Sequence, residues 1–131
     1  DNIIMTRENV QLSKSLLATG FPYIHDKKYD ISFNLFKHFY DETRGVRRLG
    51  AASLDLCFVA MGRFDGYYEF GLKPWDICAG SLIVNEAKGM VSDWNGEKVP
   101  FSGKRILACS NNEIHNNMKK ILMGEKYSLF F

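Results

Sequence analysis

Three acids lie close together in the sequence, Asp65, Glu69 and Asp76. Glu69 sits near the end of "RFDGYYEFG", which reads as a strand, and Asp76 follows a turn that contains Gly71 and Pro74. The chain can leave the strand, turn, and bring Asp76 back beside the strand's carboxyl end. That edge is where α/β domains usually bind ligands. A carboxylate at Asp76 suits Mg²⁺, a hard ion that takes oxygen ligands and uses one or two carboxylates together with substrate phosphate. Glu69 suits the recognition of substrate hydroxyls. Each residue also has a plainer reading. An aspartate at the start of a helix is commonly an N-cap, contributing about 1 kcal/mol with no further role. Glu69 reads equally well as a solvent-facing strand residue, and Asp65, before Gly66, as a turn residue. Asp55 is expected to cap, pair or point to solvent from its helix. Gly50, Ala51 and Ala52 either bring backbone N–H groups at a helix start to an anion or simply permit close helix packing.

Other constellations find no support. His25, His38 and His115 are isolated, without zinc-ligand spacing, and read as surface histidines. No G-x-S-x-G, G-x-x-x-x-G-K-[ST] or G-x-G-x-x-G pattern occurs. The net charge of +2 is too small and too evenly spread to suggest nucleic acid, the densest basic patch being Arg44, Arg47 and Arg48. No apolar run approaches the roughly 18 to 20 residues of a membrane span. Cys57, Cys78 and Cys109 are far apart and flanked by apolar residues, so buried, reduced thiols of a cytoplasmic protein are expected. The opening Asp1-Asn2 pair carries no secretory signal and suggests a piece of something longer.

The elements that must position these residues follow from periodicity. The 131 residues, 46% apolar and 24% charged, suit one domain with its own core. Strands are expected over 15–19, 46–49, 63–71 and 105–109, and a hairpin of 90–93 with 98–101 around Asn95-Gly96. Helical spacing marks 29–43 and a run from Ser110, with Glu113 completing a capping box, through Leu122. Residues 50–61 and 77–87 read as helices apolar nearly all round, buried on several sides. Strands alternating with helices imply an α/β layered domain. The terminal "YSLFF" reads as an apolar tail that packs on a partner chain.

Residues 47–97, "RRLGAASLDLCFVAMGRFDGYYEFGLKPWDICAGSLIVNEAKGMVSDWNGE", closely resemble the C-terminal half of the inositol monophosphatase family. The similarity extends more weakly through "LLATGFPY" and "RILACSNNEIHNNM", and "PWDICAG" matches the family's W-D-x-x-[AG]-[AG] signature. The resemblance implies the C-terminal layered domain, a mixed sheet flanked by helices, of the αβαβα inositol monophosphatase and fructose-1,6-bisphosphatase-like fold. It implies a Mg²⁺-dependent, Li⁺-sensitive phosphomonoesterase. By position, Asp76 resembles a ligand of a catalytic Mg²⁺, Glu69 the acid that binds a substrate ring hydroxyl, and Gly50, Ala51 and Ala52 the backbone lining the substrate pocket. Lys73 receives no firm role. Lys88 stands where the family has glycine, and Cys78 where alanine is commoner; both affect packing more than chemistry.

The family's remaining metal ligands lie on G-E-E and D-P-[IL]-D-G-[TS] segments, which this sequence lacks. The expectation is therefore that residues 1–131 form the C-terminal domain of a phosphatase whose N-terminal metal-binding half is absent, binding Mg²⁺ poorly and inactive alone. Its expected partners are a small phosphorylated substrate such as inositol monophosphate, the missing half, and a second copy in a homodimer, with neither nucleic acid nor membrane. The alternatives are a nucleotide 3′-phosphatase or histidinol phosphatase on the same fold, or a non-catalytic interaction or dimerisation fragment.

Overall fold

A computed structural model describes residues 1–99 and 104–131. Five strands form one mixed sheet in the order β2-β1-β3-β5-β4. They are β1 (Leu16–Thr19), β2 (Gly45–Arg47), β3 (Gly66–Phe70), β4 (Met90–Ser92) and β5 (Arg105–Cys109). β1 runs parallel to both β2 and β3, whereas β5 is antiparallel to β3 and β4. The helices are α1 (Lys27–Glu42), α2 (Ala52–Ala60), α3 (Pro74–Glu86), α4 (Asn112–Leu122) and the short α5 (Glu125–Ser128).

Helices cover both faces of the sheet, so its central strands are apolar on both sides. Leu17, Tyr68, Leu107 and Cys109 point to the side of α1 and α4, where they meet Leu35, Phe39, Ile114 and Met118. Their neighbours Ala18, Tyr67, Ile106 and Ala108 point the other way, to Leu56 and Val59 of α2 and Ile77 and Val84 of α3. The strand period of two thus sorts one sequence into two cores. α2 and α3 approach closely because position 80 is glycine; a Cβ there would stand 2.6 Å from Leu56 Cβ. None of the described helices is long and apolar enough to cross a membrane.

Several expectations are corrected by packing. The turn at Asn95-Gly96 forms, with Asp93 accepting from the backbone N–H of Asn95 and Glu97 at 2.8 and 3.0 Å. β4 nevertheless pairs with β5, not with a returning strand; Lys98 and Val99 are not in one, and 100–101 lie outside the described residues. Asp65 is no surface turn: it is fully buried, accepts from Leu16 N–H at 2.9 Å and pairs with Arg7 at 3.3 Å. His115 is buried against Ser92 Oγ at 2.6 Å, and that burial lowers its pKa. Cys109 is buried as expected, but Cys78 is exposed and Cys57 only half-buried. Part of the terminal tail packs on its own chain, Tyr127 being buried and the Phe131 ring lying 4.5 Å from Phe70 and 4.8 Å from Trp94, while Leu129 and Phe130 stay exposed.

Candidate active site

The connections around β1 create the site. From β1 the chain crosses through α1 to β2 on one side, then returns through α2 to β3 on the other. Connections that leave a parallel pair in opposite directions open a crevice at the strands' carboxyl ends. Gly20 and Phe21 follow β1 there, Arg48 follows β2, and Glu69 lies near the end of β3. The amino ends of α2 and α3 close the crevice. Gly50 takes φ +89 and Gly71 φ +79, a left-handed backbone that lets the chain turn from strand to helix.

The result is a cavity of about 280 Å³ that brings together all five residues expected from the sequence, Glu69, Gly50, Ala51, Ala52 and Asp76. It also takes in Gly20, Arg48 and Asp55, with Tyr23 and Trp75 at its edge. Lys73 is not part of the lining; it contributes only its backbone N–H, which donates to Asp76 Oδ2 at 2.8 Å. α3 begins at Pro74, so Asp76 is its third residue, folding back onto Lys73 N–H as the acid of a capping box. Its other oxygen has no hydrogen-bond partner among the described residues. The cap therefore engages only one of the two Asp76 carboxylate oxygens.

Glu69 is held from two sides. The Tyr67 hydroxyl, two residues back on the same strand face, donates to its Oε2. Opposite, a Cβ at position 20 would overlap the carboxylate, so glycine alone leaves the room. Burial pushes the Glu69 pKa up; the Tyr67 hydrogen bond opposes this, Asp76 adds to it and Arg48 opposes it. Burial and the Glu69 charge raise Asp55 to about 7, again opposed by Arg48. Asp55 was expected to cap, pair or face solvent, yet it is 1% exposed, with no partner for Oδ1 among the described residues. Its signal in the sequence was a lone acid inside the apolar run 50–61. Gly20 and Arg48 carried no comparable signal, because their relation to Glu69 exists only once the sheet has formed.

Mutually repelling carboxyls in one half-closed cavity favour a hard cation. Among the described residues, however, no three His, Cys, Asp or Glu side chains stand close enough to hold one. The chain offers one well-placed oxygen ligand, from Asp76, and the donor set fits a metal only in part.

A layered mixed sheet with a crevice at the reversal of strand order, lined by Asp55, Glu69 and Asp76, defines an α/β domain with its pocket at the strands' carboxyl ends. The chain belongs to the inositol monophosphatase family, whose model matches residues 2–124. It is 46% identical to a putative Nus factor SuhB of Neisseria meningitidis, over 93% of this chain and 46% of that protein. It is 44% identical to an inositol-1-monophosphatase of Synechocystis, over 91% of this chain and 41% of that protein. Among solved structures, an inositol monophosphatase from Anabaena superposes with TM-score 0.81 at 43% identity, covering 92% of this chain and 47% of the other. The chain thus spans about half the length of the curated relatives it matches.

Proposed function

We propose that this chain supplies the C-terminal half of a Mg²⁺-dependent phosphomonoesterase acting on inositol monophosphate or a related small polyol phosphate. The convergence of Asp76, Glu69 and the uncapped amino end of α2 on one cavity carries this reading. Asp76 would hold the metal through the oxygen not engaged with Lys73 N–H. A Mg²⁺ ion bound there would supply Lewis acidity, offsetting charge on the phosphoryl and leaving-group oxygens and lowering the pKa of a water. Glu69, oriented by Tyr67, accepts a hydrogen bond from a substrate hydroxyl and so fixes the polyol. The N-cap of α2 is Ala51, which offers no side-chain cap and leaves first-turn N–H groups for an anionic group or a polar oxygen. The remaining metal ligands are assigned to an N-terminal half, in keeping with the share of the relatives' length that this chain spans.

A turnover panel on the chain combined with its N-terminal half tests the proposal. Inositol phosphate should be hydrolysed in preference to fructose bisphosphate, phosphoadenosine phosphate and histidinol phosphate, and chelation of Mg²⁺ should stop the reaction. Preference for a nucleotide or histidinol phosphate would move the assignment to another branch of the fold. The Nus-factor name of the Neisseria relatives favours a second reading, in which the folded domain serves an interaction. That reading predicts a function retained by the Asp76→Asn variant.

A further inference from the structure

We propose that Asp55 is a specificity residue of this cavity, recognising a second substrate hydroxyl beside the one assigned to Glu69, so that the site selects ligands carrying neighbouring hydroxyl groups. The inference rests on the reading of the cavity as a polyol site and names a residue which that reading leaves idle. Asp55 lines the cavity from the first turn of α2, is 1% exposed, and has Oδ1 without a hydrogen-bond partner among the described residues. A buried carboxyl oxygen left unsatisfied is costly, and a native structure retains one where something else completes it. The surrounding charges narrow what that can be. The Glu69 charge acts on Asp55 in the same sense as burial, and Arg48 acts against both. A carboxyl placed between these charges can accept a hydrogen bond, and donate one when protonated, as an alcohol does. The same cavity is lined by Ala51, Ala52 and Glu69, and the absence of a Cβ at Gly20 leaves room for the Glu69 carboxylate.

NMR titration of the 131-residue chain with myo-inositol and its monodeoxy analogues tests this without any turnover. Amide shifts should concentrate at 50–55 and near Glu69, and one deoxy analogue should bind about tenfold more weakly than inositol. Asp55→Leu should erase the discrimination against that analogue. Should the leucine variant fail to fold, the near-isosteric Asp55→Asn should reduce the same discrimination several-fold. Glu69→Gln should erase discrimination against a different analogue. Equal binding of all the analogues, loss of the same discrimination in both variants, or no shift at 50–55 would each overturn the assignment. The phosphatase reading is judged separately, by the effect of Asp76→Asn on rate, so the two can fail independently.

Discussion

Gly20 and Glu69 are fitted to each other, and the fit predicts a selective defect. A methyl group at position 20 would meet the far end of a flexible side chain, not backbone, so Gly20→Ala should fold with a stability change below about 1 kcal/mol. The displaced carboxylate would lose Tyr67, and KM for a polyol phosphate should rise about tenfold or more. An unchanged KM would show that Glu69 does not position substrate. Asp55 makes a prediction of opposite sign for stability. Its carboxyl is raised from 3.8 to about 7, so folding is favoured while it is protonated and that advantage is lost as pH rises from about 4 to about 7. Asp55→Asn should match the parent chain near pH 4 and exceed it by about 1–3 kcal/mol at pH 8, measured by urea unfolding. A gain independent of pH would contradict the burial of an ionising group. That Glu69 and Asp76 come to line one cavity is legible because strand, turn and helix start are local features that also set their spacing. Asp65 is not, since its partner Arg7 lies 58 positions away. His115 reads as a surface residue from its polar neighbours, although its helical spacing to Met118 and Leu122 places it on the buried face.

At the scale of elements, strand and helix types can be read almost throughout, and their ends less well. α3 starts three residues earlier than expected because Pro74 is pre-set for the first helical turn. That shift moves Asp76 from the cap into the helix. The hairpin signal at Asn95-Gly96 specifies a turn correctly, but not the pairing of the chain beyond it. Asp93 satisfies the turn's backbone, ties it to Arg105 at 3.2 Å, and the sheet then closes through β5. Two substitutions test the helix packing. Lys88 follows α3 with φ +66, a conformation that penalises side chains, so Lys88→Gly should stabilise the chain by about 1 kcal/mol in thermal melts. Gly80→Ala should destabilise it by about 1–3 kcal/mol despite alanine's better helix propensity, because Leu56 cannot retreat. A stabilised alanine variant would mean that α2 and α3 are not in close contact.

Across the whole molecule, the two cores account for one face of α2 and α3 but not the other. Leu54, Trp75 and Leu82 remain 53%, 78% and 61% exposed on these two helices, and Met61, which caps the end of α2, 42%. This outward face explains why both sequences are apolar nearly all round, although only one side is covered by the described residues. In the proposed two-half phosphatase a second layer would lie against it. Leu82→Asp should therefore leave the melting of this chain alone almost unchanged while weakening its assembly with the N-terminal half, measured by co-purification. Undiminished assembly would place the second half elsewhere. In the proposed two-half phosphatase, residue, helix start and second half meet at Asp76, and the most direct measurement is the phosphatase rate of Asp76→Asn in the assembled protein as Mg²⁺ is varied. A metal ligand at Asp76 implies a loss of two or more orders of magnitude at fixed Mg²⁺, with the rise in rate displaced to higher metal concentration. A variant with the parental rate and the same Mg²⁺ dependence would contradict it.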